Sequence, residues 1–116
     1  MRRRFHLFGC LLLLLALAGC AESDRAWMEP TLRNDLKVLR DLIDQYRGDQ
    51  GHLPPTLGTL VDKGYIRLIP YDPITRRNDT WIEIREPTES GCVPGIVDVR
   101  SGAPGRARDG TRYADW

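Results

Sequence analysis

The stretch PTLRNDLKVLRDLIDQYRGDQG, residues 30–51, determines the fold. Pro30 suits the first turn of a helix, and Gly48 and Gly51 end the periodic pattern. The apolar side chains recur at the i, i+4, i+7, i+10, i+11 and i+14 spacing of one helical face, and they are Leu32, Leu36, Leu39, Leu42, Ile43 and Tyr46. Burying this face gains roughly 1.5–3 kcal/mol per large side chain. The stretch therefore predicts an amphipathic helix that a sheet or a second helix must cover.

Shorter elements that can cover this helix follow in the sequence. Thr56 can cap a short helix in which Leu57, Leu60 and Val61 face inward and which ends at Gly64. Residues 68–73 hold two prolines and predict an ordered loop. Residues 80–85 and 95–100 read as two strands that pair antiparallel. With residues 101–116 as an ordered carboxyl-terminal loop, the expected fold class is α+β.

The composition limits the size and the chemistry of the protein. The chain has 116 residues with 17 basic and 16 acidic side chains, and 41% of its residues are apolar. These values allow one small globular domain and exclude a nucleic-acid binder that depends on a large positive field. The sequence contains no glycine-rich phosphate loop, no serine elbow and no histidine pair for zinc. We therefore expect a protein that is not an enzyme.

The amino-terminal segment has the pattern of a bacterial export signal. Arg2, Arg3 and Arg4 precede an apolar run over residues 7–18. This run is shorter than the roughly 20 residues that a membrane-spanning helix needs. It ends in Leu17-Ala18-Gly19-Cys20, which resembles the lipobox of bacterial lipoproteins, in which the cysteine receives a covalent lipid and becomes the first residue. The alternative is an ordinary secretory cleavage beside an unmodified Cys20.

The lipobox divides the chain into three parts. Residues 1–19 form the signal peptide, residues 20–29 form the lipidated Cys20 and a polar tether, and residues 30–116 form the domain. Trp27, in the tether, could enter the lipid headgroups or pack on the domain. The resemblance implies a lipid-anchored protein on the periplasmic side of the cell envelope. Because Ala21 and not aspartate follows the cysteine, we expect the outer membrane in preference to the inner one.

Several segments of the domain together resemble the major pseudopilin of bacterial type II secretion systems. They are the helix with Tyr46, then Asp49-Gln50-Gly51-His52-Leu53-Pro54, Ile69-Pro70-Tyr71-Asp72-Pro73, Asp98-Val99-Arg100-Ser101-Gly102 and Asp115-Trp116. The resemblance implies a pilin-like fold, in which a long amino-terminal helix packs on a small antiparallel sheet. A pseudopilin also carries a hydrophobic half-helix that forms the filament core. In this sequence a lipobox and a polar tether stand in its place, which argues against assembly by the usual packing.

The same resemblance implies a calcium site in the carboxyl-terminal loop. Asp98, Ser101, Asp109 and Asp115 supply hard oxygen ligands of the kind that calcium prefers. The alternative is that these side chains cap turns and accept local hydrogen bonds. Arg100, Arg106, Arg108 and Arg112 lie among them and could contact phosphate groups, although solvated surface charges are the simpler interpretation.

Cys92 is the one cysteine left unmodified once the signal peptide is removed and Cys20 is lipidated. It could be a small buried thiol, an intermolecular disulfide partner or, as a third hypothesis, the site of thiol chemistry. The leading expectation is a lipid-anchored, pseudopilin-like protein that acts in or beside a type II secretion apparatus through protein contacts. The alternative is a stand-alone envelope lipoprotein that uses the same scaffold as a binding module.

Overall fold

The computed structural model describes residues 3–86 and 95–116, and within these ranges it describes side chains from Asp24 onward. Helix α1 spans Arg3–Gln50 and helix α2 spans Leu57–Asp62. Strand β1 spans Ile82–Arg85 and strand β2 spans Ile96–Arg100. A short 3-10 helix covers Tyr113–Asp115 in the carboxyl-terminal loop. The predicted α+β class is confirmed, with one long helix, a short helix and an antiparallel sheet.

The apolar face of α1 forms the centre of the core. Five of the six side chains of the predicted stripe are buried, at 0–2% exposure, and Leu42 is half-buried; the five are Leu32, Leu36, Leu39, Ile43 and Tyr46. Strand β2 packs on this face through the buried Ile96 and Val99, and α2 packs on it through Leu57 and Leu60. The hydrophobic spacing in the sequence therefore identified the buried face of the helix correctly.

Helix α1 begins well before Pro30, contrary to the expectation of a polar tether over residues 20–29. The segment AESDRAWME contains neither glycine nor proline, and most of its residues tolerate a helix well. Pro30 lies inside the helix, where it removes one main-chain N–H donor. The hydroxyl of the next residue, Thr31, donates to the main-chain oxygen of Trp27 at 2.8 Å. The polar segment thus continues the helix that carries the core residues.

The two strands pair antiparallel with one irregularity. Ile82 pairs with Arg100 and Ile84 pairs with Asp98, and the register shifts between Ile84 and Arg85. The residues that connect the strands, 87–94, lie outside the described part of the chain, and so does the prediction for Cys92.

A close backbone approach holds the end of β2 against the segment before β1. A Cβ atom added at Gly102 would collide with the main-chain oxygen of Thr80. Only glycine can occupy this position without moving the backbone. The turn from β2 into the carboxyl-terminal loop is therefore tight, and it places Ser101 inside the molecule.

Candidate functional site

Asp72 and Ser101 form a buried polar pair between two loops. Neither residue is exposed to solvent, and the hydroxyl of Ser101 donates to Oδ2 of Asp72 at 2.5 Å. Oδ1 of Asp72 accepts from the main-chain N–H groups of Ile74 and Thr75, at 2.8 and 3.3 Å. Oγ of Ser101 in turn accepts from the N–H of Ala103 at 3.0 Å. The pair therefore joins the loop that carries Asp72 to the end of β2, and each of its polar side-chain atoms has a partner.

The loop around Asp72 is held by its own main chain as well. The N–H of Asp72 donates to the oxygen of Arg77 at 2.9 Å, and the N–H of Arg76 donates to the oxygen of Asp72 at 2.7 Å. Arg76 adopts a left-handed backbone conformation with φ of 59°. The indole N–H of Trp81 donates to the oxygen of Pro70 at 2.8 Å. These bonds fix the backbone on both sides of Tyr71 and leave the Tyr71 side chain 63% exposed.

A second carboxyl group, that of Asp35 on α1, lies near this pair. Burial raises the pKa of Asp35 above its ordinary value of 3.8, and the negative charge of Asp72 raises it further. Two acidic groups therefore lie near each other beneath the loop, Asp72 buried and Asp35 half-buried. The loss of solvent and their mutual repulsion both disfavour the charged form of Asp35.

A surface groove opens beside the buried pair. It encloses about 450 Å³ and lies between α1, which contributes Trp27 and Thr31, and the loop, which contributes Tyr71, Pro73 and Arg76. Its walls are mainly apolar, and the side chain of Trp27 is 55% exposed. A rigid groove with two exposed aromatic side chains is suited to binding an apolar or interfacial surface.

The other side of α1 holds the carboxyl-terminal loop, residues 101–116, through Arg40. Nε of Arg40 donates to Oδ1 of Asp98 at 2.7 Å. One of its terminal nitrogens donates to the main-chain oxygen atoms of Val99 at 2.9 Å and Trp116 at 2.5 Å. A single guanidinium thus ties the helix to β2 and to the last residue of the loop.

Arg33 and Glu29 hold the same loop about two and three turns before Arg40 on α1. Oε1 of Glu29 accepts from the main-chain N–H of Arg108 at 2.9 Å and from the hydroxyl of Tyr113 at 3.0 Å. Burial raises the pKa of Tyr113, and the hydrogen bond to Glu29 acts in the same direction. The guanidinium of Arg33 lies 3.7 Å from the centre of the Trp116 ring, which is a cation–π distance.

Three of the four side chains predicted to bind calcium have separate partners, and the fourth is exposed. Asp98 pairs with Arg40, and Ser101 donates to Asp72. Asp109 accepts from both the N–H and the hydroxyl of Thr111, at 2.9 and 2.6 Å, and these bonds hold the pKa of Asp109 below its ordinary value. The side chain of Asp115 is exposed. Among the described residues, no group of three or more His, Cys, Asp or Glu side chains could hold a metal ion. This arrangement fits turn and ion-pair roles better than a calcium site, and calcium binding stays a prediction.

Two of the four arginines at the end of β2 and in the carboxyl-terminal loop make local contacts. Arg100 donates to the main-chain oxygen of Asp115 at 3.2 Å, and Arg106 donates to that of Gly110 at 2.8 Å. Arg108 and Arg112 are exposed. Neither of these two side chains forms an ion pair with another described residue, and both the phosphate contact and the interpretation as surface charges stay predictions.

The side chains on which the cysteine predictions depend lie outside the described part of the chain. The main chain at Cys20 is helical, whereas its side chain and all of Cys92 are not described.

His52 is exposed, and its ring lies edge-on to Tyr46 with ring centres 5.6 Å apart. The prediction that the protein is not an enzyme stays a prediction.

The contacts of four residues were not predicted from the sequence. Glu29 was placed in the tether, and Arg33 and Arg40 lie outside the apolar stripe from which the helix was predicted. Asp72 was recognised only as part of a proline-flanked loop. The two prolines that flank Asp72 were the one sequence signal of a fixed loop. The partners of Arg40 and Glu29 could not be predicted, because they lie 58 or more positions away in the sequence.

A comparison with protein-family models, with curated proteins and with solved structures found no match to this chain. Within the part of the chain that the structure describes, none of the helices is sufficiently long and apolar to cross a membrane.

Proposed function

We propose that this protein is a lipid-anchored, pseudopilin-like protein that acts in or beside a type II secretion apparatus through protein contacts. The single observation that carries the proposal is the contact between Asp72 and Ser101. The two residues belong to the segments Ile69–Pro73 and Asp98–Gly102, which are among those that carry the resemblance to pseudopilins. Both segments are held beside one long amino-terminal helix.

The arrangement favours a contact role over chemistry. Asp72 and Ser101 are buried and engaged with each other and with main-chain groups, so neither is presented to a substrate. The exposed features near them are aromatic and apolar. A rigid scaffold that presents aromatic side chains is suited to binding another surface.

The lipid anchor supplies the second part of the proposal. Leu17-Ala18-Gly19-Cys20 would place two or more acyl chains at Cys20, and each buried methylene contributes about 0.8 kcal/mol to membrane binding. Anchoring would then replace the hydrophobic half-helix by which pseudopilins assemble.

The proposal is tested in a strain that lacks the protein. We expect reduced export of type II substrates, restored by the wild-type chain and not by Cys20→Ala, and we expect secretion-system components to co-purify with the anchored protein. The matched control is Cys92→Ser, which keeps the anchor and should restore export. Normal export in the deletion strain would refute the secretion role and would leave the alternative of a stand-alone envelope lipoprotein.

A further inference from the structure

The three most exposed large apolar side chains of the described residues lie in α1 and in one loop. Trp27 is 55% exposed, Leu68 is 73% exposed and Tyr71 is 63% exposed. Trp27 and Tyr71 line the same groove, and Leu68 lies three residues before Tyr71. Such a concentration of exposed aromatic and apolar groups usually marks a contact surface.

This surface lies close to Cys20 along α1. Trp27 lies seven positions after Cys20, and both belong to the same helix. At 1.5 Å per residue the axial distance between them is about 10 Å. Residues seven apart complete nearly two helical turns, so their Cα atoms lie on nearly the same side of the helix axis. A membrane that held a lipid on Cys20 would therefore lie beside the groove.

The chemistry of the groove matches the interfacial region of a bilayer. Tryptophan and tyrosine concentrate at the boundary between headgroups and acyl chains, because their rings are apolar and their N–H or O–H groups are polar. Arg76 also lines the groove, and its guanidinium makes no hydrogen bond or ion pair with another described residue. It is thus available to a lipid phosphate, as Trp27 and Tyr71 are to the glycerol region.

We propose that the groove formed by Trp27, Tyr71 and Arg76 rests on the phospholipid surface and orients the anchored domain. This inference rests on the lipid anchor of the proposed function. In this orientation α1 lies tilted toward the membrane with its Trp27 side facing the lipid. The Arg33–Trp116 side and the carboxyl-terminal loop then face away from the membrane.

The test uses the full chain, purified from membranes and reconstituted into vesicles of phosphatidylethanolamine and phosphatidylglycerol with brominated acyl chains. Bromine quenches tryptophan fluorescence at short range. Trp81 is buried, and Trp116 is half-buried against Tyr113 and Arg33, so the quenched fluorescence should come from Trp27. We expect clear quenching of the wild type and loss of most of it in Trp27→Phe.

A charge variant with a matched control tests the role of Arg76. Arg76→Asn keeps a residue that tolerates a left-handed backbone and removes the positive charge. Arg47→Asn makes the same change in the last turn of α1, far from the groove. We expect weaker quenching in Arg76→Asn in vesicles that contain phosphatidylglycerol, and no change in Arg47→Asn. Equal quenching in both variants would refute the phosphate contact.

Three further outcomes separate this inference from the anchor itself. The intact mass of the purified protein reports the anchor: a mass equal to the bare polypeptide would refute lipidation, and quenching would then decide the groove alone. An anchored protein whose fluorescence is unquenched would overturn the inference, and it is the result expected if the groove binds a protein. Equal quenching of the wild type and Trp27→Phe would overturn it as well.

Discussion

Replacing Ser101 with alanine removes one oxygen atom from the most buried polar contact of the fold. Ser101 is 0% exposed, and its hydroxyl donates to Asp72 while it accepts from the N–H of Ala103. The side chain is otherwise the same size, so the change creates almost no cavity. It leaves two buried polar groups, Oδ2 of Asp72 and the N–H of Ala103, without their partners.

The size of the loss follows from these two groups. A buried polar group left without a partner costs about 1–3 kcal/mol, so the two together cost about 2–6 kcal/mol. The total stability of a domain is commonly about 5–15 kcal/mol. We therefore expect Ser101→Ala to remove a large share of the free energy of unfolding.

Urea unfolding followed by tryptophan fluorescence measures this loss, because Trp81 is buried and bonded to Pro70. The matched control is Thr31→Val, which removes a hydroxyl that is exposed and bonds to the oxygen of Trp27. We expect the control to lose less than about 0.5 kcal/mol. A loss below about 1 kcal/mol in Ser101→Ala would show that the Asp72–Ser101 contact does not hold the two loops together.

Three other predictions address the hydrophobic core, the carboxyl group of Asp35 and the calcium site. Leu39→Ala removes a side chain that is 0% exposed and should lower the free energy of unfolding by about 2–5 kcal/mol. The neighbouring Val38 is 38% exposed, so Val38→Ala should lower the free energy of unfolding far less. Similar losses in the two variants would contradict the assignment of the buried face. Asp35→Asn should raise thermal stability at neutral pH, because the pKa of Asp35 is raised on folding and ionisation therefore disfavours the folded state. This gain should shrink as the pH falls through the raised pKa and vanish below 3.8, where the carboxyl is protonated in both states, so a gain that does not depend on pH would refute the charge argument. Chelation of calcium should leave the melting midpoint unchanged, because Asp98, Ser101 and Asp109 are engaged with protein partners, and a lower midpoint with chelator that added calcium restores would support the calcium site.

The regular elements were predictable because their signals are local. The apolar spacing from Leu32 to Tyr46 repeats within a few residues and identified the buried face. Thr56 accepts from the N–H of Thr59 as an N-cap, as its position before Leu57 predicted. Residues 20–29 were the exception, because they were expected to form a tether and are helical. Their composition allowed a helix, and the contacts that hold them, from Glu29 to Arg108 and Tyr113, come from the far end of the chain.

The candidate sites depended on partners that local patterns do not contain. A carboxylate has the same appearance in a sequence whether it binds calcium, caps a turn or pairs with an arginine. Asp98 became an ion-pair partner because the fold brings Arg40 within 2.7 Å of it, and Asp72 became a buried anchor because Ser101 meets it.

The hydrophobic periodicity, together with the proline, glycine and capping residues, thus establishes the helix, its buried face, the two strands and the α+β class. The reason is that burial of an apolar stripe depends mainly on residues that are neighbours on one element. The pairing of charges and the groove between Trp27 and Tyr71 exist only in the folded chain. The physical reason is that a hydrogen bond or an ion pair requires two groups within about 3–4 Å, and residues far apart in the sequence reach that distance only after the core has formed.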